Sequence, residues 1–379
     1  MHGAAIVIGV LLLAYANGAN DNVKGLATLY GSGRLSYRQA LAWATLTTAA
    51  GSVTSVFWAG KLLVRFTGKG LVPDAVVGLP AFAGAVVLAA ALTVLLATRL
   101  GLPVSTTHAL IGALSGAGLL AAGWRQFNGP HLAALFLLPL LVSPLLAAGA
   151  VLLAYPLVHR LRLRLGIRES ACLCVACQPE TQPVMAPAGA ALNLQNAPGQ
   201  GGWKLVVDAP AACERQYFHP LIKLNLNRWL DGAHLVSSGL VSFARGLNDT
   251  PKIVALLLAF KAVHLPVSIL AVAGAMALGG LLQARRVART LAFDITRMNP
   301  GQGLLANLAT SGTVLLASHL GVPVSTTHVS TGSLFGLGAL TRRARGRVIR
   351  RVVLAWLITL PLAAALGALA LALFKQTGM

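Results

Sequence analysis

The residues best suited to chemistry in this 379-residue chain form two sets, and each set occurs twice. The hexapeptide Pro103-Val104-Ser105-Thr106-Thr107-His108 returns as Pro323-Val324-Ser325-Thr326-Thr327-His328, 220 residues later. Each copy follows a glycine, Gly101 or Gly321, and precedes a run of small apolar residues. Proline, then hydroxyl residues, then an apolar run reads as a helix start. Here that start lies in charge-free sequence long enough to sit inside a bilayer. A helix that begins there leaves its first N–H groups without partners, which is tolerable only where they line a cavity and bind something. The positive end of the helix dipole makes an anion the natural ligand. The hydroxyls of Ser105, Thr106, Thr107, Ser325, Thr326 and Thr327 add donors without bulk or charge. His108 and His328 follow directly. A helix N-terminus disfavours imidazolium, so hydrogen bonding is their expected role. Ordinary capping would explain one copy, whereas two at matching places point to a transport site.

The second set surrounds two carboxylates. Asn17-Gly18-Ala19-Asn20-Asp21-Asn22-Val23-Lys24 compares with Arg245-Gly246-Leu247-Asn248-Asp249-Thr250-Pro251-Lys252. Gly18, Asn20, Asp21 and Lys24 thus recur as Gly246, Asn248, Asp249 and Lys252 at an offset of 228. An acidic residue inside a membrane is costly and marks a functional position by default. Of the nine acidic residues, only Asp21 and Asp249 occupy matching places. The small polar residues around each predict an unwound helix. Two carboxylates beside an anion site make sense if cations or protons bind as well, which is the logic of a symporter. The structural alternative is an i,i+3 ion pair between Asp21 and Lys24.

The elements that must position these residues are membrane spans. The chain is 56% hydrophobic and 10% charged, with mean hydropathy +0.75. Charge-free runs cover 3–20, 39–60, 75–98, 100–124, 131–158, 262–284, 298–341 and 352–374. Most reach the roughly 20 residues that cross hydrocarbon. The first has neither the basic flank nor the small-residue cleavage site of a signal peptide. The expected architecture is an all-α polytopic membrane protein with a first transmembrane repeat at 1–158 and a second at 229–379. Residues 159–228, rich in Pro, Gly, Gln and Asn, read as a soluble loop or small subdomain.

Each half reads as a broken helix pair, a span, a span with a re-entrant Ser-Thr-Thr hairpin, and a closing span. That gives an odd number of net crossings, so the second repeat is inverted relative to the first. The basic residues agree. With both termini outside and the central loop inside the cell, 20 of the 30 Lys and Arg face the cytoplasm. Lys61, Arg65 and Lys69 are the objection. A net charge of +21 is therefore explained by orientation in the cytoplasmic (inner) membrane. No basic face on a soluble domain is available for nucleic acid. Inversion brings both hairpins and both Asn-Asp pairs to one central site.

At these residues the chain resembles the PiT family of inorganic phosphate transporters, whose mark is a G-A-N-D-type motif in each half. Gly18-Ala19-Asn20-Asp21 fits fully, and Gly246-Leu247-Asn248-Asp249 fits with Leu for Ala. The likeness covers the chain apart from 159–228. It implies secondary transport of phosphate coupled to sodium or protons. Phosphate would bind at the Ser-Thr-Thr hydroxyls with Asn20 and Asn248. The coupling ion would bind at Asp21, Asp249 and the same asparagines. The family motif commonly continues V-A-N after the Asp, whereas Lys24 and Lys252 stand here where a neutral Asn would be. These lysines are expected to supply fixed positive charge where other members bind a metal cation, favouring protons. The alternative is that both snorkel or pair elsewhere.

Cys172, Cys174, Cys177 and Cys213 all fall in the central loop. A zinc or iron–sulfur site is one reading of C-x-C-x2-C with a distant fourth Cys. Reduced thiols in a cytosolic loop are the other. No metalloprotease motif, phosphate-binding P-loop or nucleophile–base pair appears, so no enzyme and no cofactor is expected. The remaining readings are a carrier of sulfate or arsenate, an anion channel and a membrane scaffold. Expected partners are inorganic phosphate and the bilayer, with a homo-oligomer also compatible.

Overall fold

The computed structural model describes residues 2–164, 172–177, 203–208, 222–258 and 264–376. It is a helical membrane protein: seven helical segments among these residues are long and apolar enough to cross a bilayer. Two compact units are distinguished, one formed by Met1–Tyr155 with His234–Met379 and the other by Pro156–Ala233.

The larger unit opens with α1 (His2–Asp21) and α2 (Val23–Gly31), followed by α3 (Tyr37–Trp58), α4 (Gly60–Arg65) and α5 (Asp74–Val77). Next come α6 (Pro80–Arg99), α7 (Thr106–Ala122), α8 (Gly129–Leu132), a π-helical turn at Ala133–Leu137, and α9 (Leu138–Arg164). The second half follows. It runs through α10 (Leu226–Leu258), α11 (Leu265–Gln283), α12 (Arg285–Arg289), a π turn at Thr290–Asp294, α13 (Pro300–Leu320), α14 (Thr326–Thr341) and α15 (Gly346–Gln376). Leucines such as Leu145, Leu153 and Leu157 stay exposed on α9. In a membrane protein these are the side chains that meet lipid.

The unwound helices expected at the Asn-Asp motifs are corrected by the backbone. α1 stays helical through Asp21, and only Asn22 separates it from α2, with its N–H still donating to the Gly18 carbonyl at 3.1 Å. α10 runs unbroken through the second motif with Pro251 inside it. The reason is where the polar side chains go. They bond to other helices instead of competing for their own backbone, so the ladder survives.

The discontinuities lie elsewhere, between α6 and α7 and between α13 and α14. Residues 100–105 and 321–325 are non-helical. Gly101 (φ +68°) and Gly321 (φ +72°) turn the chain in the left-handed region that ends the preceding helix. The helices that restart, α7 and α14, have 17 and 16 residues, short of a full crossing.

The motif glycines set helix spacing. A Cβ on Gly18 would lie 1.9 Å from the Met276 carbonyl of α11, and one on Gly246 would lie 2.1 Å from the Thr48 carbonyl of α3. Each motif helix therefore packs backbone-close against the span of the opposite half, the approach that small residues permit between membrane helices. Polar contacts follow on the same faces. Thr48 donates to the Ser242 carbonyl at 3.2 Å, and Thr250 donates to Ser52 at 2.7 Å.

In the smaller unit the chain departs from an all-helical fold. β1 (Cys172–Cys177) pairs antiparallel with both β2 (Trp203–Asp208) and β3 (Ile222–Asn225) in a three-stranded sheet, order β2-β1-β3. Its Val- and Leu-rich segments favour the pleated conformation that the apolar-span reading had passed over. The proposed metal site of Cys172, Cys174, Cys177 and Cys213 lies outside the residues whose side chains are described, and Cys213 lies outside the described residues altogether.

Gly18→Ala is expected to cost at least about 3 kcal/mol, the upper end of overpacking penalties, because a backbone carbonyl must move. Gly274→Ala, which meets nothing within 4 Å, is the control and should be neutral or stabilising. Thermal unfolding of both variants in detergent checks this.

Candidate functional site

Both Ser-Thr-Thr starts and both Asn-Asp motifs meet in one buried cluster in the larger unit. The local reason is capping. Ser105 and Ser325 are the N-caps of α7 and α14, accepting from the His108 N–H at 3.0 Å and the His328 N–H at 3.2 Å. Each keeps its O–H as a free-turning donor. Capping leaves Thr106, Thr107, Thr326 and Thr327 on the first turn, all at most 4% exposed.

The threonines exchange contacts between the halves. Thr107 donates to the Val324 carbonyl at 3.4 Å, and Thr327 donates to the Val104 carbonyl at 2.7 Å. Lys24, from the first half, donates to Thr326 at 2.6 Å. Lys252, from the second, donates to Thr107 at 2.9 Å and to the Val324 carbonyl at 2.7 Å. The rings of His108 and His328 stand with centroids 4.4 Å apart, and Trp356 lies 3.9 Å from His328.

Each Asp sits at the foot of this arrangement. Asp21 pairs with Lys24 at 2.9 Å and accepts from Thr106 at 3.3 Å, Thr327 at 3.4 Å and Asn17 at 3.0 Å. Asp249 faces Lys252 at 3.5 Å and Arg245 at 3.7 Å, and accepts from Thr326 at 3.4 Å. The i,i+3 pairing read from sequence is thus present in both halves, and neither lysine snorkels outward: Lys24 is 3% and Lys252 1% exposed.

Asn20 and Asn248 hold the linkers that deliver the short helices. The Asn20 amide donates to Thr98 at 2.9 Å and to the Leu102 carbonyl at 3.0 Å, while its oxygen accepts from the Val104 N–H at 3.1 Å. Asn248 accepts from Ser318 at 3.1 Å and donates to the Val324 carbonyl at 3.3 Å. Thr98 and Ser318 are matching positions at the 220 offset.

Sequence reasoning missed two residues here. Arg245 is fully buried, and its guanidinium donates to Asn17 at 2.5 Å and to Asn22 at 3.1 Å. Asn17 also reaches Thr106 at 3.0 Å and Asp249 at 3.3 Å. The available signal was the repeat itself, since Asn17 and Arg245 occupy the same place in their halves at the offset of 228. A neutral residue facing a cation at equivalent positions is an asymmetry inside the motif.

The surroundings of the cluster are also unequal. Beyond Asn20 and Thr98 lies an open cavity of about 1180 Å³ lined by Arg99, Arg285, Arg286, Arg289, Arg297 and Arg345, with Asp294 the single carboxylate among its lining residues. Beyond Lys252 the space is filled by apolar groups. The Lys252 ammonium is 5.6 Å from the Phe66 ring, Phe66 packs edge-on to Phe136 at 5.5 Å, and Leu62, Leu71 and Val72 are buried in the same apolar cluster.

Asp21→Ala is expected to destabilise the fold by about 3–5 kcal/mol, because it leaves a buried ammonium without its partner. Adding Lys24→Met should recover most of that loss. The comparison is a thermal unfolding series in detergent.

Three comparisons place this geometry. The model of the phosphate transporter family matches residues 17–367. The "Probable low-affinity inorganic phosphate transporter" of Mycobacterium tuberculosis (strain ATCC 25618 / H37Rv) is 29% identical, over 96% of this chain and 75% of its own. "Inorganic phosphate transporter 2-1, chloroplastic" of Arabidopsis thaliana is 26% identical over 96% of this chain and 73% of its own. A solved structure titled "The sodium-dependent phosphate transporter" superposes with a TM-score of 0.76 at 22% identity, covering 99% of both chains, which establishes a shared fold. With the family model spanning both hairpins and both Asn-Asp motifs, the chain belongs to the phosphate transporter family.

Proposed function

We propose that this protein is a secondary active carrier of inorganic phosphate that works by alternating access around the buried cluster. The observation that carries the reading is the convergence of two helix N-termini, six hydroxyl residues, two carboxylates and two lysines at one place. Phosphate binds between the starts of α7 and α14, taking hydrogen bonds from Ser105, Thr106, Thr107, Ser325, Thr326 and Thr327. The threonine hydroxyls that now donate to carboxylates and carbonyls turn toward the anion. Asp21 and Asp249 take the coupling ion, a proton or sodium. Asn20 and Asn248 aim the linkers and complete the polar lining.

The two halves act as inverted repeats. The exchange of Thr107 and Thr327 contacts supports this, because each residue meets the other's neighbour as a two-fold relation requires. The arginine cavity is then the open path on the cytoplasmic side, and the Phe66–Phe136 contact is the closed path on the other. The orientation follows from the Arg-rich segments at 285–297 and 342–351 facing the cytoplasm of a bacterial-type inner membrane, with both termini outside. Lys24 and Lys252 place fixed charge beside both carboxylates, which favours protons over sodium as the coupling ion.

Labelled phosphate uptake into proteoliposomes, under separately imposed sodium and pH gradients, tests the carrier. Uptake with trans-stimulation by internal phosphate is expected, and its absence from folded protein under both gradients would overturn the reading. Competition by sulfate and arsenate fixes the anion. Thr107→Val and Thr327→Val should each lower uptake about 10- to 100-fold, as loss of a hydrogen bond to a charged group predicts. Lys24→Asn with Lys252→Asn should raise sodium dependence. Unchanged dependence sinks the lysine assignment.

A further inference from the structure

Arg245 has a role that neither the threonines nor the two Asp–Lys pairs account for. Its guanidinium lies among oxygens from three helices and the α1–α2 junction. Nη2 donates to the side-chain oxygen of Asn17 at 2.5 Å and to its backbone carbonyl at 3.4 Å. Nη1 donates to Asn22 Oδ1 at 3.1 Å and to Thr48 Oγ1 at 3.4 Å. Nε faces Asp249 Oδ2 at 3.7 Å. Amide, backbone carbonyl, hydroxyl and carboxylate oxygens are the donor set that a hard metal cation selects.

The charge count sharpens the point. Among the described residues, Asp21, Asp249, Lys24, Lys252 and Arg245 are the buried Asp, Glu, Lys and Arg side chains. With all five ionised they sum to plus one. A monovalent anion balances that charge, whereas a metal cation added to the same cluster raises it to plus two. Uncompensated charge in a buried site costs several kcal/mol per ion. At the equivalent position of the first half stands neutral Asn17, whose side-chain oxygen is itself part of the cage. One cage therefore serves both halves, and one cation fills it.

We infer that Arg245 is a tethered cation occupying an alkali-metal-type site, so that this carrier binds its anion without sodium and acquires a sodium requirement when Arg245 is made small and neutral. The inference rests on the carrier reading above and specifies its cation. In Arg245→Ala the buried charges fall to zero, and a sodium ion among Asn17, Asn22, Thr48 and Asp249 restores plus one. In Arg245→Lys the tethered charge is kept.

The test compares wild type, Arg245→Ala and Arg245→Lys in two assays, each with sodium chloride against choline chloride at equal ionic strength and pH. In proteoliposomes, sodium should leave phosphate uptake by wild type and Arg245→Lys unchanged, and should raise uptake by Arg245→Ala about tenfold, the change given by 1.4 kcal/mol of added binding. In detergent, without phosphate transport as a readout, sodium should raise the melting temperature of Arg245→Ala alone. Sodium stimulation of wild-type uptake overturns the inference, as does a folded Arg245→Ala that responds to sodium in neither assay. Should Arg245→Ala not fold, the wild-type and Arg245→Lys arms decide: sodium independence in both supports a tethered cation, and sodium stimulation of either overturns it. Absence of wild-type uptake under every condition counts against the carrier reading instead, and the melting assay then still decides whether the cage takes sodium.

Discussion

Compensation of buried charge is the constraint on which the rest of this structure depends. Two carboxylates, two ammonium groups and a guanidinium lie where neither water nor lipid headgroups can solvate them. Taken singly, each would cost several kcal/mol to bury. They are kept because each has an opposite charge within 4 Å and further oxygens or donors around it. The demands of that cluster explain features that look unrelated. The second motif helix must approach the opposite span closely enough for Thr48 and Ser52 to help, which explains why Gly246 has no room for a side chain. The hairpin helices must begin in the interior, which explains the glycine turns at 101 and 321.

The two flanks of the cluster are shaped by different forces. Around the arginine cavity, six guanidiniums line an open space, and their charge raises the local concentration of anions. Around Phe66 and Phe136, apolar area is removed from water by packing.

Much of this was legible in the sequence because it is repeated there. The hexapeptides gave the capped starts of α7 and α14, and the G-x-N-D pairs gave the buried carboxylates and their i,i+3 lysines. The hydropathy runs gave the spans. What escaped was where the helix ladder breaks. Clusters of Asn, Asp and Gly read as breakers because alone they would bond their own backbone. In the folded protein Asn17, Asn20 and Asn22 spend those bonds on Thr106, Val104 and Thr45, each distant in sequence, and the helix continues. Arg245 escaped for a related reason. As the first residue of an expected helix break it has no evident role, and only its alignment with Asn17 sets it apart. The short strands at 172–177, 203–208 and 222–225 carry no signal that an apolar-span reading would register.

The exchange of hydroxyl and carbonyl between Thr107 and Val324, and between Thr327 and Val104, has a consequence for how such a protein is made. Neither half contains a finished hairpin tip, since each tip is completed by an atom from the other. Until the second half has been inserted, the Thr107 hydroxyl and the Val104 carbonyl of the first lack these partners. Removing either hydroxyl therefore takes a donor from a carbonyl in the opposite half, and the two tips depend on each other for their completion.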